Sequence, residues 1–203
     1  LVKVGPASRD VELRIAADAD NVLDPGRVGK IPLFGGSMPE KIYGDEQATR
    51  DLFTADGWLR TGDCGVIDDG QLVITGRSKD IIIVNGQNYY PHDIEEIAAA
   101  VEGLDLGKVV VGGTKTSGSQ TEELLVFALY KRSIDDFRRL AEQVSARIGE
   151  HTGLEVDHVI PIRKVPKTTS GKVQRAALLN AYLDGDFDEV LAKLAPQDVA
   201  APT

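Results

Sequence analysis

The stretch DIIIVNGQNYYPHDIEEIAAAV, residues 80–101, decides the fold. Its aliphatic run is followed by Asn85-Gly86, the dipeptide that best suits the positive φ angles of a type I′ turn, so it predicts a tight β-hairpin. Pro91 then stands where a helix can begin. The apolar residues after it recur at the helical period: Ile94, Ile97, Ala98 and Val101. This change from hairpin to helix predicts that an α+β unit starts near residue 80.

Downstream of this stretch, the pattern predicts further strands and a second helix. Strands are expected over residues 108–112, 123–131 and 156–165, with a polar loop over 114–120. Ser133 and Asp136 form a capping-box-like start for the helix, whose apolar residues fall on one face: Ile134, Phe137, Leu140, Ala141, Val144 and Ile148. A short helix is expected near residues 183–194, and residues 196–203 are expected to be a disordered tail.

Upstream, short apolar runs separated by Gly, Pro and Asp are typical of strands joined by turns. Such runs cover residues 11–15, 29–34 and 71–75, and one short helix is expected over 45–53. The predicted fold class is therefore α+β. A small β-rich subdomain, residues 1–78, is followed by a two-helix, three-to-four-strand domain, residues 79–195.

The composition excludes several classes of function. Lys and Arg number 23 against 32 Asp and Glu, a formal charge of -9, so the long-range field repels nucleic acid rather than gathering it. The 3 histidines share no metal-ligand spacing and Cys64 is the single cysteine, so neither a metal site nor a disulfide framework is expected within this chain. No signal peptide and no apolar run long enough to span a membrane is visible, and a reducing cytoplasm is the expected compartment.

Three polar segments could carry chemistry, and the first is GWLRTGD, residues 57–63. Its structural interpretation is a β-turn in which Asp63 caps its own loop. Its functional interpretation is a carboxylate held by flanking glycines so that its two oxygens accept hydrogen bonds from a sugar diol. The spacing alone leaves both open.

The second segment is GRSKD, residues 76–80, at the change from the β-rich region to the α+β region. A charged surface linker is one interpretation. In the other, Arg77 grips a ribose or phosphate with its planar donors, and a neighbouring residue lets one domain turn on the other.

The third segment is KVPKTTSGKVQR, residues 164–175. A mobile loop with exposed lysines is one interpretation. In the other, the loop delivers Lys172 into a cleft as a point charge that meets negative charge developing in a transition state. The segment is not a Walker A loop, because Pro166 occupies the place of the first glycine.

The order TGD (61–63), GRSKD (76–80) and PKTTSGK (166–172) resembles the carboxy-terminal part of the adenylate-forming superfamily. The stretches before TGD, residues 1–15 and 24–35, are similar as well. The resemblance implies a mobile carboxy-terminal lid domain and a reaction in which a carboxylate attacks the α-phosphate of Mg-ATP. An acyl-adenylate and pyrophosphate result, and a thiol then takes the acyl group. Asp63 and Arg77 match the ribose-binding residues, Lys79 the hinge, and Lys172 the lysine that bridges the acyl carboxylate and the nucleotide.

Within that superfamily, residues 80–96 most resemble the fatty acyl-AMP ligases. This resemblance implies a fatty acid substrate. Ile83 stands where CoA ligases and peptide-synthetase domains typically carry lysine, which favours transfer to the phosphopantetheine arm of an acyl carrier protein. Gly86, Asn88 and Tyr90 are then expected on the acceptor side. The alternatives are an acyl-CoA synthetase or peptide-synthetase adenylation fragment that uses CoA or a carrier, and a non-catalytic module that binds a carrier protein.

The superfamily's phosphate loop and acyl pocket find no match in this sequence. The resemblance therefore implies a fragment or subunit whose partner is an amino-terminal adenylation domain, and that domain is expected to hold most of the contacts to ATP and Mg. We expect negligible adenylation by this chain unless that domain is supplied.

Overall fold

The computed structural model describes residues 2–17, 21–115 and 121–195. The chain divides into two compact units, residues 1–80 and 81–203. The sequence predicted the change of unit at residues 78–79. The predicted tail, 196–203, and most of the predicted loop at 114–120 lie outside the described residues.

The first unit is built on an antiparallel five-stranded sheet. Its strands lie in the order β1-β5-β4-β3-β2, so the first strand pairs with the last. The elements are β1 (Val2–Gly5), β2 (Val11–Leu13), β3 (Gly29–Gly35), α1 (Glu46–Leu52), β4 (Leu59–Asp68) and β5 (Gln71–Arg77), followed by a 3₁₀ turn, Ser78–Asp80. The predicted helix is confirmed as α1, with the Asp45 carboxylate accepting from the Ala48 N–H at 2.8 Å.

The second unit contains two sheets and four helices among its described residues. They are β6 (Ile82–Val84), β7 (Gln87–Tyr89), α2 (Pro91–Ala99), β8 (Val109–Thr114), β9 (Glu123–Leu129), α3 (Ile134–Thr152), β10 (His158–Ile162), α4 (Arg175–Leu183) and α5 (Asp188–Leu194). In the three-stranded sheet the order is β10-β9-β8, with β10 parallel and β8 antiparallel to β9. The strands β6 and β7 form a separate hairpin.

Alternating residues of the three-stranded sheet build two hydrophobic clusters. Val111 and Val126 pack in one cluster with Ile94 of α2 and Phe137 of α3. Their strand neighbours Val110 and Phe127 pack in the other, with Leu178 of α4. Successive side chains of a strand point to opposite faces, so the two clusters lie on opposite faces of the sheet. Helices α2 and α3 cover one face, and α4 and α5 cover the other.

The predicted α+β class is confirmed, and so are the hairpin and helices α2 and α3. Ser133 caps α3, its hydroxyl oxygen accepting from the Asp136 N–H at 3.2 Å. Helix α5 confirms the short helix expected near residues 183–194, and α4 forms directly after the third polar segment, so the two-helix description of this unit counts too few helices. Helices α4 and α5 cover the second face of the sheet, which would otherwise expose Val110, Leu125 and Phe127.

None of the helices in the described ranges combines the length and apolar character needed to cross a membrane.

Candidate functional site

Asp63 and Arg77 lie directly opposite each other on strands β4 and β5 of the first unit. Arg77 Nε is 3.2 Å from Asp63 Oδ1, and the side chains are 49% and 31% exposed. Each group retains further donor or acceptor atoms beyond this contact, so the pair can offer both kinds of hydrogen bond to a hydroxyl-bearing ligand. The turn interpretation of Asp63 is wrong, because the residue belongs to β4 and pairs across the sheet.

The backbone around this pair is tied down by two hydroxyl groups. Thr61 Oγ1 donates to the Ile31 carbonyl at 2.7 Å and accepts from the Asp63 N–H at 3.1 Å. Ser78 Oγ donates to the Gly62 carbonyl at 3.2 Å. A small cavity of about 180 Å³ is lined in part by Thr61, Gly62 and Ser78. The ion pair therefore sits on a braced segment beside a recess.

Cys64 follows Asp63 and is buried. Burial raises the pKa of its thiol, the Asp63 carboxylate raises it further, and Lys30 partly opposes the change. A thiol with a raised pKa is a poor nucleophile at neutral pH. This environment is that of a packing residue and not of a nucleophile.

Lys79 lies in the 3₁₀ turn, Ser78–Asp80, at the end of the first unit, and its side chain is exposed. The predicted hinge therefore falls next to the boundary between the two units. Its role as a pivot stays a prediction.

Lys172 lies in a closed loop, residues 166–174, which we call the lysine loop. Gln174 N–H donates to the Pro166 carbonyl at 2.9 Å and Thr168 N–H to the Lys172 carbonyl at 2.8 Å. Lys167 and Val173 form a β-bridge, and the Lys172 N–H donates to Thr168 Oγ1 at 3.1 Å. The backbone of the segment therefore closes it into a hairpin. Lys172 lies near the tip of this hairpin, and its side chain is exposed.

Gly86 and Asn88 lie on the β6–β7 hairpin, and Tyr90 joins it to α2. Asn85 and Gly86 have φ angles of 51° and 76°, as the predicted type I′ turn requires. The Tyr90 ring packs against His92, with centroids 5.7 Å apart. The hairpin is held to its unit where the Ile83 N–H donates to Glu122 Oε2 at 3.0 Å.

The predicted site residues thus form two groups. Asp63, Arg77 and Lys79 belong to the first unit, whereas Lys172 and the hairpin residues belong to the second. Sequence reasoning missed Glu95 and Arg175, which form an ion pair of 2.7 Å in the second unit with 15% and 16% of their side chains exposed. Their separation of 80 positions leaves no local signal by which a single sequence reveals the pair.

Within the described ranges, no group of three or more His, Cys, Asp or Glu residues is placed to hold a metal ion. The predicted binding of Mg by an amino-terminal domain stays a prediction.

Comparison with known proteins gives consistent relatives, although no protein-family model matches the chain. The nonribosomal peptide synthetase apvA of Aspergillus terreus is 34% identical over 190 residues, which cover 91% of this chain and 20% of that protein. A putative acyl-CoA synthetase of Caulobacter vibrioides is 34% identical over 191 residues, covering 92% of this chain and 33% of the relative. The chain therefore spans about a fifth to a third of the length of these curated relatives.

Solved structures agree in fold. The McyG A-PCP structure complexed with phenylalanyl-adenylate matches 96% of this chain and 31% of its own, with a TM-score of 0.86 and 26% identity. A structure from a study of fatty acyl-adenylate ligases of E. coli and L. pneumophila matches 93% of this chain and 34% of its own, with a TM-score of 0.78 and 32% identity. By sequence and fold, the chain is homologous to adenylate-forming enzymes and corresponds to their carboxy-terminal portion.

Proposed function

We propose that this chain supplies the carboxy-terminal part of an enzyme that activates a carboxylic acid with ATP. The observation that carries the proposal is the presentation of one exposed lysine, Lys172, by a backbone-closed loop in a chain that also pairs Asp63 with Arg77. The homology to adenylate-forming enzymes supports the same reaction. The missing phosphate-binding and acyl-binding parts would come from an amino-terminal adenylation domain.

In the proposed first step, a carboxylate oxygen of the acid bonds to the α-phosphorus of ATP, and the bond from that phosphorus to the bridging oxygen of the β-phosphate breaks. Pyrophosphate leaves with the bonding electron pair, and the product is an acyl-adenylate. Lys172 acts as a positive point charge close to the carboxylate and the α-phosphate, and stabilises the negative charge of the transition state. Asp63 and Arg77 bind the ribose hydroxyls and hold the nucleotide in place.

In the proposed second step, the sulfur of a thiolate attacks the acyl carbonyl and AMP leaves. We assign the acceptor as the phosphopantetheine thiol of an acyl carrier protein and the acid as a fatty acid. The support for the carrier is Ile83, whose aliphatic side chain is 48% exposed at a position where CoA ligases and peptide-synthetase domains typically carry lysine. The support for the fatty acid is the resemblance of residues 80–96 to the fatty acyl-AMP ligases. Gly86, Asn88 and Tyr90 lie on the same hairpin or next to it and form the acceptor side.

A second candidate is an acyl-CoA synthetase or a peptide-synthetase adenylation domain. It is favoured by the names of the sequence relatives, which are a nonribosomal peptide synthetase and a putative acyl-CoA synthetase. Both candidates share the first step and differ in the acid and in the thiol.

The first step is tested with the chain joined to, or mixed with, an amino-terminal adenylation domain. Lys172→Ala should lower acid-dependent ATP–pyrophosphate exchange about 100- to 1,000-fold, the usual loss when a group that stabilises transition-state charge is removed. The matched control is Lys167→Ala, which removes another exposed lysine from the lysine loop and should leave the exchange rate unchanged. An unchanged rate in Lys172→Ala would overturn the proposal and favour a non-catalytic carrier-binding module.

The acceptor is tested with the same assembly, by comparing CoA with a phosphopantetheinylated acyl carrier protein at equal thiol concentration. Fatty acids and amino acids serve as the competing acids. Faster acyl transfer from a fatty acid to the carrier supports the fatty acyl-AMP ligase assignment. Preference for CoA, or for an amino acid, assigns the chain to the second candidate.

A further inference from the structure

We propose that Glu95 and Arg175 are positioning residues that fix the lysine loop to the second unit, and that they act on the reaction only through Lys172. This inference rests on the proposed function. Neither residue carries out chemistry in it, since neither is in the lysine loop or exposed as Lys172 is.

The two side chains clamp one backbone position, Val111. Arg175 Nε donates to the Val111 carbonyl at 2.5 Å, and the Val111 N–H donates to Glu95 Oε1 at 2.9 Å. The same carboxylate oxygen accepts from Arg175 Nη2 at 2.7 Å, which closes the set. We call this arrangement the Val111 clamp.

The clamp satisfies the backbone groups of Val111 at a covered edge of the sheet. Strand β8 is the outer strand in the order β10-β9-β8, so every second residue directs its N–H and carbonyl away from β9. At Val111 those two groups meet the carboxylate and the guanidinium instead of water or another strand. Because the ion pair is largely desolvated and each partner also binds backbone, its geometry is restricted more than that of a surface pair.

The clamp also fixes the position of the lysine loop. Arg175 is the first residue of α4, directly after the loop, and lies three positions from Lys172. A cation at a helix amino terminus is unfavourable for the helix dipole, and the Glu95 carboxylate offsets that cost. A Cβ added at Gly112 would lie 3.0 Å from Leu179 Cδ2 and 3.4 Å from Arg175 Cδ, so the glycine lets α4 approach β8 closely.

The other partner of the pair belongs to the acceptor side of the unit. Glu95 lies on α2, which begins at Pro91 directly after the hairpin that carries Gly86 and Asn88. One desolvated ion pair therefore joins α2, the helix that follows the acceptor hairpin, to α4, the helix that follows the lysine loop. The two functional segments are held at a fixed separation within the second unit.

The experiment is a double-mutant cycle in the assembled enzyme, with the rate of acyl-adenylate formation measured in a single turnover. Arg175→Met should lower this rate constant about 10- to 100-fold, as expected for a misplaced reacting group, while the KM for ATP stays unchanged. In a Lys172→Ala background, Arg175→Met should lower the rate no further, because its effect passes through the lysine. Glu189→Gln is the control, since it breaks the Lys193–Glu189 pair, whose side chains are 58% and 85% exposed, and should change nothing.

Additive losses in the double variant would overturn the inference, and so would an unchanged rate in Arg175→Met or a loss of melting temperature alone. If Arg175→Met does not fold, Glu95→Gln enters the same cycle and decides, because it keeps an oxygen acceptor for the Val111 N–H and removes the charge. Full activity of Lys172→Ala by itself would overturn the proposed function, and the inference with it. A large effect of Lys172→Ala with additive behaviour of Arg175 would overturn the inference alone.

Discussion

At the scale of single residues, the Asp63–Arg77 pair depends on the register between strands β4 and β5. Asp63 belongs to the TGD motif and Arg77 to the GRSKD motif further along the chain, yet the β4–β5 pairing makes them direct neighbours. Their partial exposure, 31% and 49%, leaves the pair open to a ligand. An exposed ion pair contributes little to stability, so we expect these charges to matter for ligand binding more than for folding.

We predict that Arg77→Met raises the KM for ATP in the assembled enzyme about 10- to 100-fold, because it removes hydrogen bonds from a charged donor to the ribose. The measurement is initial-rate kinetics of pyrophosphate release. Asp68→Asn is the control, since it breaks the Lys3–Asp68 pair of the same sheet, where the side chains are 48% and 55% exposed. An unchanged KM in Arg77→Met would contradict the ribose-binding role.

Cys64 gives a second prediction at this scale. Burial is the largest influence on the pKa of its thiol and raises it, while Lys30 opposes the change and Asp63 adds to it, so the folded protein keeps the thiol protonated to a higher pH than the unfolded chain does. Labelling with a disulfide reagent should therefore be slow in the folded protein and fast in denaturant. The raised pKa also contributes stability that is present below the unfolded pKa and is lost as the pH rises above it, so urea midpoints should fall in alkaline solution. Equal labelling rates in both states would refute the prediction.

At the scale of elements, local signals succeeded where the cause is local. The turn at Asn85-Gly86 forms because both residues tolerate positive φ, and α3 begins at Ser133 because its hydroxyl accepts the Asp136 N–H. Prediction from the sequence was incomplete where partners distant in the chain determine the local structure. Asp63 was open to a turn interpretation until the pairing of β4 with β5 was known, and the weak apolar periodicity of α4 does not reveal which of its faces packs on the sheet.

The candidate site divides in the same way. Its motifs were visible in the sequence, because Asp63, Arg77, Lys79 and Lys172 stand in short characteristic strings. The Val111 clamp was not visible, because its two side chains meet through a backbone position on an edge strand and belong to helices far apart in the chain.

The cap of α3 gives the prediction for this scale. Ser133→Ala should lower the free energy of unfolding by about 1 kcal/mol, because the Asp136 N–H loses its acceptor at the start of the helix. Urea denaturation of the protein measures this change. Gln143→Ala, at an exposed position within α3, is the control and should alter the free energy by less than about 0.5 kcal/mol. A Ser133→Ala midpoint equal to that of the control would show that the cap contributes nothing.

At the scale of the whole molecule, the chain carries its predicted site on two units. Asp63 and Arg77 belong to the unit that ends at Asp80, and Lys172 belongs to the unit that begins at Ile81. Under the proposed function, one lysine serves the first step and the acceptor hairpin serves the second. Two reactions that share one adenylate then require two arrangements of the units, and a residue between them must absorb the change in backbone angles.

Lys79 is the residue that we expect to absorb it, and proline at this position tests the expectation. Lys79→Pro fixes φ near −65° and restricts Ser78, so one arrangement of the units becomes favoured over the other. Pyrophosphate exchange reports the first step and transfer from a preformed acyl-adenylate reports the second, and we expect one rate to fall at least about tenfold more than the other. Lys79→Ala removes the charge without restricting φ and should leave the ratio of the two rates unchanged. Equal losses in both steps for Lys79→Pro would mean that the substitution damages the fold and that the pivot lies elsewhere.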